Sequence, residues 1–204
     1  MSPLMRELST LGACPEALVW ALAYSDKTAK ELWEQCVRPD WLMWLLIKKR
    51  DTLLWPTTTC VLSLLCDVVK VHTMPILINT PEHGSLKDCI DMSRGFLRNK
   101  FVSAIVTTPF GDIVFPSSTL LLADTLPILA CTTKPDSHRL AMCAIVLTGH
   151  IVSRFRADTT MLYSAPSVIQ YVVEAVTFHT GSDCLKESLV NVSNTIRNRV
   201  TVPL

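Results

Sequence analysis

Apolar residues recur along most of this chain at spacings of three and four, the period of helices that bury one stripe. Residues 4–11 read as a short helix stopped by Gly12. Pro15, at a first-turn position, starts a second helix with Ala17, Trp20 and Ala21 on one face. Asp26 or Thr28 caps a third, with Leu32, Trp33 and Cys36 inward. Pro39 breaks the chain, and Asp40 caps the next helix, 41–49, placing Trp41, Trp44, Leu45 and Lys48 on one stripe. Pro56 and the threonines behind it open a helix in which Val61, Leu64, Leu65 and Val68 keep the i, i+3, i+4, i+7 template. Residues 71–84 hold Pro75, Asn79, Pro81 and Gly84 and read as a loop. Ser85 then caps a helix carrying Leu86, Cys89, Ile90, Ser93 and Leu97.

The second half continues in the same period. Residues 101–118 allow either a β-hairpin, from β-branched runs around a Pro/Gly/Asp turn, or a helix end followed by a loop; the loop is preferred. Residues 119–131 hold an apolar helix bent or split near Pro127. Asp136 or Ser137 caps a long helix, 138–155, with Leu140, Cys143, Leu147 and Ile151 in register. Pro166 opens 166–179, with Ile169, Val172, Val173 and Val176 inward. The last helix, 183–200, turns Leu185, Leu189, Val192, Ile196 and Val200 to the core. About nine helices on short polar loops make an all-α fold, a multi-helix bundle or stacked helical hairpins, with 101–116 as the place for a short β-hairpin. The length suits one helical domain over 1–204; a division into 1–100 and 117–204 around the 101–116 loop is the alternative.

The chain is 49% hydrophobic, with a mean hydropathy of +0.33. That excess belongs either to membrane spans or to a dense core. The longest nearly apolar stretch, 140–152, contains His150 and ends at Arg139 and Arg154, short of the ~20 apolar residues a spanning helix needs. Arg6 and Glu7 interrupt any secretory h-region. The expectation is a soluble, cytoplasmic protein without membrane contact, with at least one helix buried on all sides. Its eight cysteines form no C-x-x-C pair and fall mostly at apolar helical positions, as reduced thiols in a core do. A net charge of +1, balanced between the two halves, leaves no electrostatic footprint for nucleic acid. Lys48-Lys49-Arg50 ends a helix, where cations complement the dipole.

Candidate chemistry is concentrated near the N-terminus, where four of the five tryptophans fall within residues 20–44. Arg38-Pro39-Asp40-Trp41 is the strongest local feature. It reads first as a helix–helix corner: Asp40 caps, Arg38 pairs with Asp40 or Glu34, and the indoles fill the core. The alternative is a ligand pocket walled by Trp33, Trp41 and Trp44, in which Arg38 grips an anion. Around this corner, Leu8, Leu11, Ala13, Cys14, Ala17, Trp33, Cys36, Arg38, Asp40, Trp41, Trp44 and Leu45 form a spaced pattern. That pattern resembles a recurrent N-terminal segment of uncharacterised bacterial and phage helical proteins, some of them labelled immunity proteins. The resemblance spans roughly the first 46 residues; helices with Asp91, Arg94 and Leu97 and those of 137–200 follow the group loosely. Val, Ile, Thr and Cys replace alanines expected near the C-terminus, and 101–118 is extra. The resemblance implies a non-enzymatic role against toxins or defence systems and supplies no catalytic residues.

Elsewhere, His150 and Arg154 lie one helical turn apart with Asp158 close behind, a general-base arrangement lacking a nucleophile motif; a packed core histidine is the preferred reading. Cys66 with His72, and His179 with Cys184, fall short of a four-ligand metal site. No phosphate-cradling or hydrolase motif occurs, and no cofactor is expected. Phe110 and Phe115 flank a Pro-Gly turn and are candidates for contact with a protein partner, or else fold back on the core. The leading expectation is a binding protein of phage or bacterial type with a protein partner: an immunity-type protein or an inhibitor of a host defence system. A small-molecule- or nucleotide-binding protein, or an enzyme, using the Trp/Arg corner or the His150 face is the alternative, and a virion or scaffold component the third.

Overall fold

The structure, a computed structural model, describes residues 3–53, 55–98, 103–109, 111–115 and 136–200. The described residues form nine α-helices, two short 3-10 helices and one two-stranded antiparallel sheet. They run α1 (Pro3–Leu11), α2 (Pro15–Ala23), α3 (Ala29–Gln35), α4 (Pro39–Lys49), α5 (Thr58–Leu77), α6 (His83–Leu97), β1 (Ala104–Thr108), β2 (Gly111–Phe115), α7 (Ser137–Arg154), α8 (Ala165–Thr180) and α9 (Leu185–Arg199). The fold is mostly α with a short β-hairpin. The expected helix at 119–131 and Phe110 lie outside the described residues.

Helix α7 is the axis of the core. Asp136 caps it by accepting from the Arg139 N–H at 2.8 Å, and nearly every residue from Leu140 to Arg154 is buried. Helices α5, α6 and α8 pack around it, and α4 and α9 close the outside of α8. A helix apolar on every side must be covered on every side, and this arrangement does so.

Local capping explains the other starts. At α3, the Thr28 hydroxyl accepts from the Glu31 N–H and the Glu31 carboxylate returns to the Thr28 N–H, a complete capping box. At α5, the Thr57 hydroxyl accepts from the Cys60 N–H. Asp51, at φ +60°, adds its carboxylate to the Thr58 N–H at 2.9 Å.

Several expectations change. Residues 71–77 continue α5 rather than forming a loop: Pro75 falls in the last turn, and the burial of Ile76 and Leu77 outweighs its missing N–H. Asp40 is not an N-cap. Arg38 holds that position, and the Asp40 carboxylate turns back to its guanidinium. The buried face of α4 is Leu42, Met43, Leu46 and Ile47, so Trp41, Trp44, Leu45 and Lys48 stand on the other side. Leu185, expected inward, is exposed at the start of α9. The 101–118 segment contains the hairpin rather than a loop. Val106 and Ile113 pair across the strands and face the core, while Ile105 and Val114 pair on the outside. The hairpin packs on α6 and α7, and Gly149 leaves the space that Ile113 enters.

Helix α5 has the length and apolar composition to cross a membrane, which the reading of 140–152 as the longest apolar stretch missed. Here its Asp67 pairs with Arg94 of α6 and Arg199 of α9, and over half of its most apolar window is buried inside the fold.

Candidate functional site

The N-terminal third does not close up as solid core. Helices α1 and α2 form a hairpin laid across α3, α4 and the start of α8, and a cavity of about 450 Å³ remains between them. The five tryptophans of the chain, Trp20, Trp33, Trp41, Trp44 and Trp55, all line it. Leu8, Leu11, Ala17, Leu32 and Leu45 supply most of the remaining apolar wall. A volume of this size falls within the ~300–1,000 Å³ usual for small-molecule sites.

The helices place these side chains for simple reasons. With Leu42, Met43, Leu46 and Ile47 committed to the core, the 3.6-residue period leaves Trp41, Trp44 and Leu45 on the opposite face. That face is where α2 arrives, and the Trp20 ring meets the Trp41 ring edge-on at 6.0 Å. Beyond Glu16 in its first turn, helix α2 is apolar on every side, yet it buries only Ala21 fully; Val19 and Leu22 are 68% and 60% exposed.

The charged groups of the lining are mostly self-satisfied. Arg38 donates through Nε to one oxygen of Asp40 at 2.9 Å and through a terminal nitrogen to the other at 2.7 Å. Its guanidinium lies over the Trp41 ring at 4.6 Å. Gln170 of α8 reaches the same carboxylate at 3.4 Å. Lys49 is paired with Glu7 of α1 and lies over Trp55 at 5.3 Å. The Glu16 carboxyl is held below the usual carboxylate range by its own backbone N–H, by the Cys14 thiol and by the charge of Arg38. Burial pushes the Cys36 thiol up to about 11, so at neutral pH it is protonated and a poor nucleophile. Behind the α3 wall, Arg197 of α9 donates to the carbonyls of Trp33 and Cys36.

Arg38, Asp40, Trp41 and Trp44 are therefore brought together at one cavity, with the arginine's forked donors on Asp40. His150 and Arg154 are buried in α7 and do not line it. Asp158 caps the 3-10 helix Thr159–Ser164 through the Thr160 N–H, a turn-forming role. The ring of Phe115 is fully buried 5.7 Å from Phe96, which corrects its reading as a partner contact: the inward face of the hairpin seats it in the core. Among the described residues no three His, Cys, Asp or Glu side chains are grouped to hold a metal. His72 bonds Thr195 at 2.9 Å, and the Cys184 thiol points to the Thr180 carbonyl. Cys14, Cys36, Cys60, Cys66, Cys89 and Cys184 are free thiols, but Cys143 is disulfide-bonded, against the expectation of wholly reduced cysteines.

Sequence reasoning missed Trp20, Trp55 and the α1 residues as cavity walls. Their signal was the apolar, non-amphipathic composition of α2, which calls for contact on more than one side. No protein-family model matches the chain, and neither a curated protein nor a solved structure matches it.

Proposed function

We propose that this protein binds a small, largely apolar molecule in the tryptophan-lined cavity and does not transform it. The observation that carries this reading is the convergence of all five tryptophans on one space of about 450 Å³. Indoles are costly to leave unpacked, and a helical fold of this size has core enough to absorb them. Binding rather than catalysis is favoured by the lining itself. Among the described residues it contains no histidine, its buried thiol is held protonated, and its charged groups are largely tied to one another. The test is direct. Protein purified under native conditions is denatured and the released small molecules are analysed. A stoichiometric compound, absent from a folded Trp44→Ala variant, is the expected result. The reading fails if no compound is released and no member of an apolar ligand panel alters tryptophan emission.

A protein partner is the second reading, favoured by Val19 and Leu22 on the outer face of α2. The N-terminal resemblance to phage and bacterial proteins, some labelled immunity proteins, supports a cytoplasmic inhibitor of this kind. Val19→Asp with Leu22→Asp should abolish capture of that partner while leaving the cavity's ligand in place.

A further inference from the structure

The cavity also carries information about the chemistry of its ligand, an inference that rests on the reading of the cavity as a small-molecule site. An indole N–H withdrawn from water ordinarily finds an acceptor. None of the five indole N–H groups donates to a protein acceptor among the described residues. Trp33 is the sharpest case. The residue is only 7% exposed, and no protein acceptor for its N–H stands among the described residues. A wall of π-faces therefore carries hydrogen-bond donors that have no protein partner.

Charge narrows the choice. Among the described residues the lining holds three carboxylates, Glu7, Glu16 and Asp40, against two cations, Arg38 and Lys49. Both cations are already paired, Arg38 with Asp40 and Lys49 with Glu7. Glu16 and Asp40 stand in the first turns of α2 and α4, where the helix dipole would otherwise favour an anion from the ligand. An incoming carboxylate would meet like charge. An incoming ammonium could lie on a π-face, but the carboxylates that would accept from it already hold donors: Asp40 takes Arg38 and Gln170, Glu7 takes Lys49, and Glu16 takes its own backbone N–H and the Cys14 thiol.

We infer that the cavity takes an uncharged, mainly apolar molecule bearing a carbonyl or ether oxygen, and that the indoles, Trp33 first, donate to that oxygen. The apolar body accounts for the wall, the oxygen for the indole N–H groups without a protein acceptor, and the neutrality for charged groups that already have partners within the protein.

Four probes of one shape separate these contributions: benzophenone, diphenylmethane, aminodiphenylmethane and diphenylacetate. Each is titrated into the full chain by calorimetry, with the indole N–H resonances of isotope-labelled protein followed in parallel. Benzophenone should bind about five- to tenfold more tightly than diphenylmethane, the ratio expected from one net hydrogen bond. It should also outbind both charged probes and move an indole N–H resonance that diphenylmethane leaves in place. Trp33→Phe should erase the preference for the ketone while diphenylmethane still binds. Should that variant not fold, the wild-type ranking and the resonance shift decide the matter alone. Tighter binding of the amine or the carboxylate, or equal binding of ketone and hydrocarbon without a shift, overturns the inference and leaves the cavity reading intact. Failure of all four to bind overturns both.

Discussion

Arg38 and Asp40, two residues apart across the start of α4, form a two-point ion pair with Nε–Oδ1 at 2.9 Å and Nη2–Oδ2 at 2.7 Å. The Asp40 side chain is 8% exposed and that of Arg38 41%, so the pair joins a buried residue to a partly solvated one. Asp40→Ala should cost about 1–2 kcal/mol by denaturant unfolding, less than a wholly buried pair because Arg38 keeps part of its hydration. The same change should release Arg38 toward a ligand carboxylate. Diphenylacetate binding should improve in Asp40→Ala, and no gain would show that Arg38 does not face the ligand.

Trp41 and Trp44 are half-buried against a cavity, whereas Leu46, on the opposite face of α4, is fully enclosed. Truncating a buried leucine costs roughly 2–5 kcal/mol. An aromatic bordering open space loses fewer contacts. Leu46→Ala should therefore lower the unfolding midpoint more than Trp44→Ala, although tryptophan is the larger residue. The reverse order would indicate that the cavity collapses in solution.

Gly149 of α7 has no room for a methyl group. An added Cβ would stand 2.7 Å from Cys89 Sγ and 2.8 Å from Ile113 Cδ1, both in the core. Gly149→Ala recovers about 1 kcal/mol of helix propensity but overpacks the seat of the hairpin, which typically costs about 1–3 kcal/mol. A net loss of stability is expected, with rescue by Ile113→Val or Cys89→Ala in a double-mutant cycle. Additive effects would rule out this contact as the cause.

Burial holds the His72 imidazole below the ordinary histidine value. The unfolded chain therefore takes up a proton more readily than the folded protein does. The contribution of His72 is present above the unfolded value of about 6.5 and is lost as pH falls from there through the lowered folded value. Urea midpoints should decline over this window, and His72→Asn should flatten the decline. An unchanged slope in the variant would assign the pH dependence to other groups.

Thiol labelling should proceed in steps. Cys14 and Cys60 are exposed and should react in the native state, with Cys184 slower. Burial drives the thiols of Cys36, Cys66 and Cys89 upward, to about 11 for Cys36 and about 12 for Cys89, so these should react only on unfolding. Cys143 should need reduction as well. Native-state labelling of Cys36 would mean that the α1–α2 hairpin opens.

Much of the helical architecture was legible in sequence because it depends on local terms. The 3.6-residue period of Val61, Leu64, Leu65 and Val68, the stop at Gly12, and the caps at Thr28 and Asp136 each act within a turn or two of chain. The errors arose where a distant partner outweighed a local signal. Pro75 reads as a breaker, yet the packing of Ile76 and Leu77 carries α5 past it. The 104–115 strands read as loop, because their pairing gains its stability from a seat on α6 and α7. Asp40 has the chemistry of a cap, but Arg38 competes for it successfully with charge-assisted bonds.

By itself the sequence determined that this chain is helical, where most helices begin and end, and that its tryptophans cluster beside an Arg–Asp corner. Only the tertiary structure decided which face of α4 meets the core. Both of its faces are apolar, so periodicity alone could not rank Leu42, Met43, Leu46 and Ile47 above Trp41, Trp44 and Leu45. That choice turns a corner into a cavity. An empty space is the distance left between packed elements, and it is set by where α2 settles on α4 rather than by any residue's own preference.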